Sequence, residues 1–316
     1  MVKLKADFKS DWIAQLRAHM IQLQGWNAAE VASLGDGDIP DYYFESLRRR
    51  PAPRARVLKI ADDFSCPPTQ EAGWRILQDK VRKGEDLSPH LSYRHASLFN
   101  NDGLLAEWGV HHFHLGTEPD PKNPSYAKRT GPLVYVLVDD TTFCAINVYS
   151  HEAFEEVSII ESIHRNWPDM IEKYRARGVT GATLDKTQRR TLRRKCTNVL
   201  VATSDGTVYM PIGGGVMGSS IKMESVIHAD RWRSEMQSLQ ARFEKHLDEL
   251  MPTFKERGYA GEDEIQGQLR ITEAGYQVVF PKYGVLANLQ LDPAFLASRA
   301  YRYGTNRRAG RIAWYT

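Results

Sequence analysis

The sequence turns on one stretch, Trp108-Gly109-Val110-His111-His112-Phe113-His114-Leu115-Gly116, which is followed by Thr117-Glu118. Six of the ten histidines lie between His90 and His151. The residues at 110–115 are β-branched, aromatic or large and apolar, with glycine on either side, and this predicts a short strand. Side chains alternate faces along a strand. His111, Phe113 and Leu115 therefore share one face, directed to the core, with His111 packed beside the two apolar residues. Val110, His112 and His114 share the other face, with the two imidazoles roughly 6–7 Å apart. That spacing suits two ligands to one metal ion, or an acid/base pair around a phosphodiester. A solvated sheet face with two hydrogen-bonded imidazoles accounts for the same pattern.

Working outward, Leu133–Val138 and Phe143–Tyr149 flank the polar turn Asp139-Asp140-Thr141-Thr142 and predict a β-hairpin. Its second strand runs into Ser150-His151. Antiparallel strands tend to pair in sequence order, so the histidine strand and the hairpin form one meander. A helix over about 153–175, divided at Pro168, would cover it. The connecting loop 116–131 is long, proline-rich and carries Lys128-Arg129, as functional loops often do. Upstream, the periodicity predicts helices over 7–24, 27–34 (capped by Asn27) and 41–50, a strand at 57–60 and a helix over 69–83 closed by Gly84. His90 and His95 fall in an aperiodic loop and read as surface histidines. Downstream come a basic helix at 188–195, a hairpin around Ser204-Asp205-Gly206 and a strand at 221–227. A long helix at 229–250 and strands at 268–272, 276–280 and 285–291 follow. The expected class is α+β. The expected parts are a helical N-terminal region (1–95), a central histidine domain (96–178), a hairpin plus long helix (179–255) and a C-terminal β tail (256–316).

The chain has 316 residues, 42% hydrophobic and 26% charged, which is ordinary for a globular protein. No run approaches 18 apolar residues, and the first twelve residues lack the apolar core of a secretory signal. Three distant cysteines, Cys66, Cys144 and Cys196, fit neither a zinc pattern nor a disulfide framework, so a reducing cytoplasm is expected. The net charge is only +3, but sixteen of the 42 basic residues sit in three acid-free clusters at 48–56, 186–195 and 299–311. Such clusters bind phosphate backbones, or are simply solvated faces. Arg48, Arg49, Arg50, Arg189, Arg190, Arg193 and Arg194 are the expected nucleic-acid contacts, with RNA as first choice and DNA second. The helices before Pro51 are also compatible with a helix-turn-helix. Gly213 to Ser220 has the glycine spacing of a phosphate-binding loop, but Ser219 stands where the lysine is needed. A glycine turn or close backbone packing is the expectation there.

Two families resemble parts of this chain. His112-x-His114 followed by Glu118 looks like the first motif of the cupins, which implies one divalent Fe, Mn or Zn ion held by His112, His114 and Glu118, with His151 as a further ligand. The cupins' second motif is absent. The segment from Leu104 to His151, with its exposed-histidine strand, hairpin and strand-terminal Tyr149-Ser150-His151, resembles the RelE/ParE-type bacterial toxin ribonucleases. That resemblance is topological and covers only this segment of the 316-residue chain. It implies metal-independent RNA cleavage in toxin or phage-defence biology and a neutralising antitoxin or other partner protein. His112, His114 and His151 would share the acid/base roles, Tyr149 would assist, and Arg129 or Lys128 would stabilise the phosphate. The Trp-Gly-x-His-His-x-His-Leu segment is also similar to one in uncharacterised bacterial proteins. A non-catalytic nucleic-acid-binding or scaffolding protein with structural histidines is the remaining alternative.

Overall fold

A computed structural model describes residues 2–151, 153–181, 184–272 and 275–289. The chain begins with β1 (Lys3–Lys5), α1 (Phe8–Gln22), α2 (Ala28–Ser33), α3 (Ile39–Arg49), β2 (Val57–Ile60) and α4 (Glu71–Lys83). The histidine region follows as α5 (Gly103–Trp108), β3 (Val110–His114), β4 (Leu133–Val138), β5 (Thr142–Tyr149), α6 (Ser158–Asn166) and α7 (Pro168–Ile171). Next are β6 (Arg175–Ala176), α8 (Lys186–Arg194), β7 (Val201–Ala202), β8 (Val208–Tyr209) and α9 (Met223–Lys245). The described part ends with α10 (Met251–Glu256), β9 (Glu264–Gln266), β10 (Gln268–Thr272), β11 (Gly275–Phe280) and β12 (Val285–Leu289). Helices and mixed sheets in one chain make the class α+β, as expected. Among the described residues, no helix is long and apolar enough to cross a membrane.

The chain divides into two compact units, and the cuts differ from the four parts read from the sequence. One unit is continuous, Glu45–Glu224, and the other joins residues up to Phe44 with those from Ser225 onward. The reason is a non-local pairing: β1 runs parallel to β9, with Leu4 opposite Ile265. In this split unit α1 also lies on β10. Gln15 donates to the Leu269 carbonyl (2.9 Å) and accepts from Ile271 N–H (2.8 Å), so one amide side chain stands in for a strand partner. Trp12 stacks on Trp232 and Phe243 on Phe280. The β10-β11-β12 meander alternates buried and half-exposed residues, the mark of a sheet with one covered face.

The continuous unit is built on a sheet of order β2-β5-β4-β3. β3, β4 and β5 form the expected antiparallel meander, and β2 adds to the far side of β5 in parallel. Both faces are covered. Trp74, Leu77 and Val81 of α4 pack on Phe113, Val134, Val136, Phe143 and Ala145. On the other face Trp108 of α5 and Ile159, Ile160 and Ile163 of α6 pack on Val110, Leu133, Tyr135 and Ile146. The face carrying His112 and His114 is therefore not solvated, because α5, α6 and the turn at 153–155 fold back over it.

Local differences from the sequence-based expectations have local causes. The approach at Leu104–Trp108 is helical, since the Asp102 carboxylate caps it by accepting from Leu105 N–H (3.0 Å) and Gly109 closes it at φ 69°. The strand expected at 221–227 is instead the start of α9. The glycine run meets the close-packing expectation. Gly213 and Gly215 donate to the carbonyls of Glu107 and Ala106 (3.0 and 3.1 Å), and a β-carbon at Gly213 would sit 2.2 Å from Leu105 O.

Candidate active site

Three separate segments bring side chains together at the Leu115 end of β3. His112 and His114 point to the face shared by Tyr135 and Leu133, their register partners on β4. They are only 8% and 1% exposed, respectively. His151, which follows β5, is exposed, and its ring lies 5.5 Å from that of His114. Phe154, in the turn Ala153–Glu155, touches His112 edge-on (5.2 Å) and His151 (6.1 Å). Arg129 reaches in from the long loop, donates to Leu91 O (2.6 Å), lies over the Tyr93 ring and contacts His114 Nε2. Sequence reasoning placed His112, His114, His151 and Arg129 in one site, and the fold gathers them.

The surroundings of His114 are chemically informative. Thr130 N–H donates to its Nδ1 (3.0 Å), and the Arg129 guanidinium approaches its Nε2. Both partners are obligate donors, whereas a neutral imidazole offers one acceptor nitrogen and one N–H. With Nδ1 accepting, Nε2 carries the proton and lies against the Arg129 guanidinium. Protonation cannot resolve the conflict, because it adds a donor. Burial and the Arg129 charge already hold the His114 pKa down at about 3, and burial, against the opposing pull of Asp102 and with neighbouring positive charges, takes His112 to about 4. His151 is lowered as well, by desolvation first and Arg129 second. His112 and His114 are thus neutral at physiological pH, and the exposed His151 is the imidazole open to proton exchange with solvent.

Other expected site residues fall elsewhere. Tyr149 shares the sheet face, but in register it stands opposite Leu133, which stands opposite His114. That puts it two strands away, about 10 Å, with its ring edge-on against Tyr135 (5.3 Å). Glu118 is exposed and paired with Lys128 (3.5 Å), so it does not complete the ligand set of the cupin resemblance. Among the described residues no group of three or more His, Cys, Asp or Glu side chains is placed to hold a metal ion.

Most of the arginines expected to contact nucleic acid are committed inside the protein. Arg48 pairs with Glu224, Arg49 is 1% exposed and donates to the Ser97 and Leu98 carbonyls, and Arg50 donates to His95 O. Arg189 and Arg193 converge on the buried Glu107, both lying over the Trp108 ring, and Arg190 pairs with Glu155. A buried carboxylate needs such partners, so these cations serve the fold first. Arg194 is exposed, and the cluster 299–311 lies outside the described residues.

Two histidines read as surface residues are buried beside the site. His90 is 3% exposed, with Nδ1 2.8 Å from His114 O. His95 is also 3% exposed, with Nε2 3.4 Å from the Asp102 carboxylate. The aperiodic loop that carries them gave no sequence signal for this. No family model, curated protein or solved structure matches the chain.

Proposed function

We propose that this protein is an endoribonuclease-like enzyme that cleaves RNA through histidine acid/base chemistry without a metal ion. It would act in the cytoplasm, in the manner of bacterial toxin or phage-defence proteins, under the control of a partner protein. The observation that carries this reading is the gathering of His114, the exposed His151 and the Arg129 guanidinium at one end of β3, an imidazole open to solvent beside two hydrogen-bond donors. In this reading a non-bridging phosphoryl oxygen accepts from the His114 Nε2–H and from Arg129. His151 takes the proton from the ribose 2′-hydroxyl as its oxygen attacks phosphorus, then returns that proton to the departing 5′-oxygen. The products are a 2′,3′-cyclic phosphate and a free 5′-hydroxyl. His112 and Phe154 line the site, and Arg129 with His114 stabilises the charge on the non-bridging phosphoryl oxygens.

The test is cleavage of single-stranded RNA in excess chelator by the wild type and by His151→Ala, Arg129→Ala and His112→Ala. The wild type is expected to cleave, with His151→Ala slower by roughly 10²–10⁴-fold. Cleavage only on addition of Fe, Mn or Zn would overturn the reading in favour of a metalloenzyme. Salt-sensitive RNA or DNA binding without cleavage, unchanged by the substitutions, would overturn it in favour of a binding module.

A further inference from the structure

Behind the site lies a buried Asp–His pair with no part in the chemistry above. Asp102 is 9% exposed, His95 3% and His112 8%. The Asp102 carboxylate is anchored by capping α5, and its pKa is held down. Desolvation pushes it up, but the bond to His95 and the nearby His112 outweigh that. An ionised carboxylate only accepts hydrogen bonds, so the His95 nitrogen facing it, Nε2, carries the proton. That leaves His95 Nδ1 as a lone-pair acceptor. His95 Nδ1 and His112 Nδ1 are both buried without a hydrogen-bond partner, and the two rings are 6.3 Å apart. Two orphaned ring nitrogens on neighbouring buried rings make a polar niche of the kind that holds one bridging water.

We propose that Asp102 and His95 are positioning residues that fix the tautomer of His112 through one buried water. The chain of donors runs in one direction: His112 Nδ1–H to water, water to His95 Nδ1, and His95 Nε2–H to the Asp102 carboxylate. Hydrogen bonds aligned in one direction polarise one another, and the buried negative charge at the end sets that direction. His112 Nε2 is then left as the acceptor nitrogen of that ring. Among the described residues, the other charged or titratable groups facing this chain include His111 and Lys222 on the Asp102 side, His151 and Arg129 on the His112 side, and Tyr135, whose ring packs on His112 (6.3 Å). His111 is buried and neutral, and Lys222 is paired with Glu45 (3.1 Å), so neither displaces Asp102 as the local anion.

The role of this relay in cleavage rests on the function proposed above, but the placement of the proton does not. The experiment is therefore histidine-ring ¹⁵N NMR on the full chain at neutral pH, without RNA. The wild type is expected to show His95 protonated at Nε2 and His112 at Nδ1, each as a single tautomer. Asp102→Asn, which keeps a good helix cap, and His95→Gln are each expected to turn His112 into a tautomer mixture. Circular dichroism separates that result from loss of the fold. His112 protonated at Nε2 in the wild type, or a single His112 tautomer unchanged in both folded variants, would overturn the proposal and leave the cleavage reading standing. Absence of RNA cleavage alongside the expected tautomers would sink the cleavage reading and leave the relay intact.

Discussion

The sheet bearing the histidines and the β10-β11-β12 sheet are both mostly antiparallel, yet they treat polar residues in opposite ways. In the second sheet buried and outward residues alternate, as Leu269 and Ile271 do with Gln268 and Arg270. Its polar side chains meet water and cost nothing. In the first sheet every residue of β3 is buried. An imidazole there must give up its hydration, so His112 and His114 persist at a cost in stability. The difference shows where function is to be sought: a polar group on a sheet covered on both faces is retained against the physics of folding.

The comparison can be broken by measurement. Phe113→Ala opens a hole between β3 and α4 and is expected to cost about 3–5 kcal/mol in urea unfolding. Glu107→Gln removes the carboxylate that answers Arg189 and Arg193 on the opposite side of the sheet, and a similar loss of about 3–5 kcal/mol is expected. Near-wild-type stability in either variant would show that the sheet is less tightly covered than described. The next effect is acid sensitivity. The pKa of His112 is near 4 folded against 6.5 as a free side chain, so the unfolded state binds more protons between those values. Stability therefore falls as pH drops through that window. His112 alone accounts for about 2 kcal/mol between pH 7 and pH 5, and the slope should flatten in His112→Gln. A wild-type slope retained in that variant would place the sensitivity elsewhere. The smallest effect belongs to the other sheet, where Arg270→Ala is expected to leave the unfolding midpoint unmoved.

How much of this was legible in the sequence follows from the range of the interactions. The histidine strand (read as 110–115, observed as Val110–His114), the hairpin after it and the His111–Phe113 packing depend on neighbours in sequence, and the residue pattern predicts them. So does the close packing of Gly213, since glycine has few other reasons to cluster there. The α+β class follows from the same local patterns. The burial of His112 and His114 was not visible, because residues 153–166 must fold back before that face is covered. The partners of Arg189, Arg193 and Arg49 were not visible either. A basic cluster looks the same in sequence whether its cations meet phosphate in solution or carboxylates and carbonyls 48–86 residues away. The Asp102–His95 pair escaped for a further reason: neither residue sits in a periodic segment that would assign it a face.

The pairing of β1 with β9 also has a consequence for biosynthesis. The continuous unit is complete once the ribosome has delivered Glu224, so its sheet can close while the rest of the chain is still being made. The first 44 residues have to wait for Glu264 and beyond. At ordinary translation rates that interval is roughly 10–40 s. Throughout it, the apolar side of α1 with Phe8, Trp12 and Leu16 has no sheet to rest on.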